Sequence, residues 1–258
     1  MNSKDVTRLI FGKDIEVAEK VMMKMPTVEE VALSDNFGKY TSIFTIRTRE
    51  LFSSLPDVDA LEKRFPTVWS MMFDPKEEGD LLLGRALGSE STASNIFIEA
   101  LSFWTNLRPE GFVRLANGKK FVHEGVDWII DVGEYNRLSK LIKDVIGYVP
   151  SDHFVAPKNM NPNRFSHWEG ILKGRLKQAD KNKRTIADKI LILSVSTETY
   201  IPIESIGKMS YYQFQKLYSI LEEKEAYKHR WDVKISPKFE DKKNNSTKHW
   251  KEAFKLIK

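Results

Sequence analysis

The residues of this 258-residue sequence that would do metal or acid–base chemistry are five histidines and 36 carboxylates. A zinc-protease helix needs two histidines four residues apart, with a glutamate after the first, so that all three share one face. His123-Glu124 begins that pattern, but Asp127 stands where the second histidine belongs. His153 and His167 would have to meet Asp152 or Glu169 in space to hold a metal, and their spacing gives no reason for it. We read them as surface or loop histidines. Asp127 and Asp131 would face each other across a short turn, yet any acidic segment produces such pairs, and acid–base work needs burial that separates their pKa values. Cysteine is absent, which removes thiolate nucleophiles, thiolate ligands and disulfides. No GxxxxGK[ST], GxGxxG or G-x-S-x-G pattern occurs. The expectation is a non-enzyme, with no catalytic residue, no metal and no cofactor.

The strongest clustering of one residue type is basic. Lys173, Arg175, Lys177, Lys181, Lys183 and Arg184 lie within a dozen residues, beside Phe165 and Trp168. Contacts from these six to phosphates would give salt-sensitive affinity, and the aromatics could stack on bases. Glu169, Asp180 and Asp188 are interleaved, as on a solvated helix face, and no helix-turn-helix or RNP pattern accompanies the run. Charge is uneven along the chain. Residues 1–150 carry 19 Lys/Arg against 23 Asp/Glu, and residues 151–258 carry 22 against 13, giving −4 and +9. An acidic part and a basic part suit nucleic-acid binding, or subunits stacked head to tail. No apolar run approaches the roughly 18–20 residues of a membrane span, and the opening lacks a signal peptide's apolar segment. We therefore expect a soluble intracellular protein that uses no membrane.

The elements that must position these groups start with Gly207–Trp231, the clearest helix. Ser210 and Gln213 form a capping box, with Met209 and Phe214 placed for a hydrophobic staple. Phe214, Leu217, Tyr218 and Leu221 make an apolar stripe at helical spacing, flanked by Ile220, Tyr227 and Trp231. Upstream, a helix starts near Thr185 and runs through Ile190–Leu193, the most apolar run of the chain, to Val195. Tyr200 to Ile203 is an extended connection.

At the N-terminus, Leu9-Ile10-Phe11 is read as strand, Gly12-Lys13-Asp14 as a turn, and Ile15–Val17 and Val21–Met25 as further strands. Thr27 with Glu30 caps a short helix to Leu33. Tyr40–Leu51 is read as one helix, and short helices follow to Phe65 and over 67–73. Glu77–Leu87 and Ser91–Leu107 are helices separated by Gly88. The second carries Ile96, Ala100, Leu101, Phe103, Trp104 and Leu107 on one wide face, which belongs in a core or an interface. Phe112–Leu115 and Lys120–Val122 flank Asn117-Gly118, which predicts a hairpin closed by a type I′ turn. Val126–Ile130 is a third strand and Glu134–Ile146 a helix. Ser151–Arg164, with Pro157 and Pro162, is the most linker-like segment. The expected division is an α+β region over 1–150, with N-terminal strands and a hairpin near 112–122, and a basic, mostly helical region over 151–258. In the latter, Trp168–Asp180 is a basic helix, Pro237–Thr247 a polar stretch and Lys248–Ile257 a short closing helix.

Three passages resemble small proteins of tailed phages that infect Gram-positive bacteria. Leu9 to Ile15, followed by Met25-Pro26-Thr27-Val28-Glu29-Glu30-Val31, is similar to their β start and "P-T-x-x-E-I" helix. Asn117 to Ile130 and Tyr135 to Ile142 resemble their hairpin-strand-helix passage. Asp188-Lys189-Ile190, Met209 to Phe214 and Lys248-His249-Trp250 resemble their closing apolar helix, "M-T-x-x-Q-L" helix and terminal "H-W". The resemblance implies a morphogenesis protein, often a tail-assembly chaperone that coats the tape-measure protein until tube subunits replace it. It implies no catalytic residues, self-association, and residence in the host cytoplasm during assembly. The expected contact residues are Phe97, Phe103, Trp104, Tyr211, Tyr212 and Phe214, with core as the competing role for all six. The alternatives are a permanent virion component of neck, tail or baseplate, and a nucleic-acid-binding protein acting through Lys173–Arg184.

Overall fold

In the computed structural model, which describes residues 3–196 and 200–235, the chain is α+β. It divides into two units, and neither is a continuous stretch. The first comprises residues 1–13, 25–33 and 184 onward; the second comprises 14–24 and 34–183. The boundary read from sequence at 150/151 therefore falls inside the second unit. The stretches 237–247 and 248–257 lie outside the described residues.

The second unit is organised by rings. Its elements are the hairpin β1–β2 (Ile15–Ala18, Val21–Met23), the helices α3 (Phe37–Thr45), α4 (Thr48–Leu51), α5 (Val58–Arg64), α6 (Val68–Met72), α7 (Glu78–Ala86) and α8 (Ala93–Thr105), the antiparallel sheet β3–β4–β5 (Phe112–Leu115, Lys120–His123, Trp128–Ile130), α9 (Val132–Val145) and α10 (Pro162–Lys181). Strand alternation places Phe121 and Ile130 in the interior. There Phe121 meets Trp69, Phe73 and Phe97 at centroid separations of 5.8, 5.3 and 4.9 Å. Phe44 and Tyr135 complete the cluster at 5.4 and 5.8 Å from Phe97. These tilted and edge-on pairs add to the area that they bury. The polar tips are also placed: the Tyr135 hydroxyl donates to the Ile43 carbonyl at 2.8 Å, and Ser139 donates to the Phe44 carbonyl. Both bonds tie α9 to α3. Burial pushes the Tyr135 hydroxyl pKa well up, so it stays a donor.

Four sequence expectations are revised here. Tyr40–Leu51 is two helices, since Ile46 and Arg47 are extended and separate α3 from α4. The β3–β4 turn is not type I′. Leu115 pairs with Lys120, leaving a four-residue loop in which Gly118 and Lys119, not Asn117, have positive φ. Leu9-Ile10-Phe11 is not a strand. Leu9 and Ile10 end α1 (Ser3–Ile10), and Gly12 at φ +62° closes it, with its N–H on Leu9 O and the Lys13 N–H on Arg8 O at 2.8 Å. That is a Schellman cap, a use of glycine indistinguishable by composition from a turn between strands. Finally, the linker-like segment is bolted down. Arg49, 6% exposed, donates from Nε to the Ala156 carbonyl at 2.6 Å, and from its terminal nitrogens to the Pro157 carbonyl, Asp59 and Glu62. Ser53 accepts the Ala156 N–H at 3.0 Å, and Asp59 accepts the Asn159 N–H at 3.0 Å. Arg47 holds Asp152 and the Ser151 carbonyl. Residues 151–159 thus form a strap across α4 and α5.

The first unit is helical: α1, α2 (Val28–Leu33), α11 (Ile186–Ser196), α12 (Ile203–Lys208) and α13 (Tyr211–Ile235). Val28, Leu193, Ile206, Phe214 and Leu221 form its buried core, with Met209 and Tyr211 packed against it. Both capping boxes read from sequence are present. Ser210 N–H donates to Gln213 Oε1 at 2.8 Å and Gln213 N–H to Ser210 Oγ at 3.2 Å; Thr27 and Glu30 make the equivalent pair. Backbone pairing joins the separated pieces, with Val28 N–H on the Met209 carbonyl at 2.9 Å and Tyr211 N–H on the Pro26 carbonyl at 2.8 Å. Gln213 adds a bond to the Ile10 carbonyl at 2.7 Å. The apolar stripe of α13 holds at Phe214, Tyr218 and Leu221, but Leu217 is exposed, because the core covers only a narrow face of the helix.

Candidate functional site

The six expected contact aromatics divide by burial. Phe97 and Trp104 are buried in the second unit, and Tyr212 and Phe214 are buried in the chain, Phe214 within the first unit's core. A buried ring offers a partner nothing unless the fold opens, so these four act as core. Phe103 is half-buried, tilted against Tyr40 at 5.5 Å and edge-on to Phe37 at 5.9 Å. Tyr211 is half-buried beside Phe214 at 6.2 Å, and burial raises its hydroxyl pKa.

The basic run also divides. Lys173, Lys177 and Lys181 recur every fourth residue along exposed α10. Lys173 pairs with Glu169 at 2.9 Å, whereas Lys177, Lys181 and Lys183 make no ion pair among the described residues. Arg175 is structural: its guanidinium lies 5.6 Å from the Trp168 ring centroid and donates to the His153 carbonyl. Arg184 belongs to the first unit, where it donates to the Tyr218 hydroxyl at 2.7 Å and lies 3.7 Å from Glu222. Four lysines, not six cations, therefore remain on an open surface of the second unit. Among the described residues no three His, Asp or Glu side chains are grouped to hold a metal, and no helix is long and apolar enough to cross a membrane. Asp131 is occupied as the α9 cap, accepting the Glu134 N–H at 2.9 Å, and Asp127 sits at φ +51° in the turn before β5.

Two surfaces went unremarked in the sequence. One is the outer face of the three-stranded sheet. Val113 pairs with Val122, and Val122 with Ile129, so three aliphatic side chains form a row across the strands, with Leu115 beside it. Val113, Leu115 and Ile129 are exposed, Ile129 by 54%. The alternation that buries Phe121 and Ile130 required this face to be outward, but polar residues ordinarily occupy it. A shorter apolar strip lies on α11, where Leu191 and Val195, one turn apart, are exposed by 55% and 72%.

The other surface is a cleft between the α3–α4 junction and α9. It has two adjoining lobes of about 360 and 400 Å³ that share Arg47, Asn136, Ser139 and Lys143. Desolvation, then the nearby Arg47 charge, lowers the Lys143 ammonium pKa. The Arg47 pKa is raised, chiefly by its bond to Asp152. Sequence could not assemble this cleft, because its walls come from distant stretches and none contains a motif. Comparison with known proteins finds no matching family model, no matching curated protein and no matching solved structure.

Proposed function

We propose that this chain is a non-enzymatic assembly protein that works by docking on other proteins, in the manner of the phage tail-assembly chaperones that its motifs resemble. The row Val113–Val122–Ile129 carries the reading. An in-register aliphatic face on an open sheet is a platform on which an apolar helix can lie. A long helical tape-measure protein is a partner of that kind. The exposed pair Leu191 and Val195 offers a second, smaller grip. Size-exclusion chromatography with light scattering, with and without a tape-measure protein, tests the idea. Val113→Lys with Ile129→Lys should abolish the complex while leaving circular dichroism unchanged. A chain that remains alone at high concentration with that partner would defeat the reading. Stoichiometric recovery from purified particles would instead identify a permanent virion component.

A second reading draws on Lys177, Lys181 and Lys183, which are exposed without ion-pair partners among the described residues. If they bind nucleic acid, neutralising all three should remove an affinity that falls steeply with salt.

A further inference from the structure

We infer that the groove between the end of the strap and the start of α10 binds a small amphipathic acid, its apolar tail on the groove floor and its carboxylate at Arg164 and Lys158. This third surface encloses about 430 Å³, the size of a small-molecule site. Pro157 and Met160 from the strap side and Trp168 and Ile171 from α10 make it apolar. Met160 is half-buried and unbranched, so it can follow the shape of a tail. The rest of the lining is Lys158, Asn163, Arg164 and His167, with no carboxylate among it. The two ends of the groove differ. Asn163 and Arg164 sit in the first turn of α10, and Trp168 and Ile171 follow one and two turns after Arg164. From Asn163 to Ile171 is about 12 Å of helix, room for a medium-length hydrocarbon chain. The positive end of the helix dipole lies at the same end as Arg164.

The polar groups are open to a ligand. Arg164 and His167 are exposed, and their side chains make no ion pair or hydrogen bond among the described residues; only the Arg164 backbone N–H is engaged, by the Asn161 cap at 2.9 Å. Glu169, the nearest acid on the helix, is held by Lys173 at 2.9 Å. Lys158 feels the Asp59 charge, but that carboxylate is already taken by Arg49 at 2.7 Å and the Asn159 N–H at 3.0 Å. The groove is also set in place before any ligand arrives, because both walls hang on Ser53. Its Oγ accepts the Ala156 N–H at 3.0 Å, and its carbonyl accepts the Trp168 indole N–H at 2.8 Å. Arg49 holds the Pro157 carbonyl. A preorganised site loses little of its contact energy to ordering. Charge decides the occupant: a neutral tail leaves Lys158 and Arg164 unanswered, and a cationic amphiphile is repelled by them. The site lies wholly within the second unit and does not depend on the docking reading.

Isothermal titration of the full chain with decanoate, butyrate and decyltrimethylammonium, below their micelle concentrations, tests the assignment. Each methylene withdrawn from water is worth about four-fold in affinity, so butyrate should bind about a hundred-fold or more weakly than decanoate. Decyltrimethylammonium, with the same tail and the opposite charge, should bind at least about ten-fold more weakly. Decanoate should shift the backbone amides of 158–160 and 163–171 and leave those of 112–130 in place. Arg164→Gln should weaken decanoate by about ten-fold or more, the loss of one charged hydrogen bond, and leave the ammonium compound no weaker. Ile171→Asn should weaken both amphiphiles, whereas Val113→Lys with Ile129→Lys should change neither. If Ile171→Asn fails to fold, Arg164→Gln decides alone. Absence of decanoate binding, affinity that ignores tail length or head charge, unchanged affinity in the folded groove variants, or shifts confined to 112–130 would overturn the proposal.

Discussion

The two units solve the same problem with opposite materials. The second unit closes around interlocked rings, with buried donors such as Arg49 tying irregular chain to helices. The first unit has a small aliphatic core around Phe214 and depends on backbone pairing and capping boxes to join separated pieces. The contrast shows that a segment's looks predict little about how firmly it is held. The proline-rich strap is anchored at its carbonyls, while the best-patterned helix, α13, buries only a narrow face.

The hardest blow to this contrast is Trp69→Ala. It removes the ring that meets Phe73, Phe97, Phe121 and Tyr135, and should cost about 3–5 kcal/mol in denaturant unfolding. A cost near that of a surface change would show that the rings do not hold the unit. Next is Arg49→Met, which leaves Asp59, Glu62 and two carbonyls without their donor. About 2–4 kcal/mol should be lost, with hydrogen-exchange protection of the Ala156 and Asn159 amides. Protection that survives would return these residues to the status of a linker. Ser210→Ala in the first unit should cost about 1 kcal/mol, read as fraying of the first turn of α13.

The smallest effect is one of pH. The bond from Arg49 holds the Asp59 carboxyl below its ordinary value. Its contribution is therefore complete above the unfolded value of about 4 and declines as pH falls through the lower folded value. Protection at Asn159 should be flat from neutrality to about pH 4 and fall below it. Asp59→Asn should remove that dependence.

What was legible in the sequence was what local chemistry determines. Thr27 and Ser210 announced helix starts because a capping box uses residues three apart. Asn117-Gly118 announced the β3–β4 hairpin, though not its turn type. What failed depends on distant partners. Gly12 ends a helix and not a strand because the Lys13 N–H finds Arg8. The strap reads as linker because its anchors, Arg49 and Ser53, lie a hundred residues earlier. The aromatics Phe97, Trp104, Tyr212 and Phe214 have the same composition whether they face a core or a partner. Arg164 and Ile171 carried no signal, since the groove they line exists only after the strap meets α10.

The interleaving of the units bears on the order of events at the ribosome. Residues 1–13 and 25–33 must wait for α11–α13, which emerge only after the 150 residues from 34 to 183. At roughly 5–20 residues per second that delay lasts on the order of ten seconds. During it Leu9, Val28 and Val31 have no hydrophobic shelter in their own unit, while the ring-built unit can fold as it is made. A nascent chain stalled after residue 183 should therefore display a finished second unit and a sticky, waiting N-terminus, a natural client for the cell's holding chaperones.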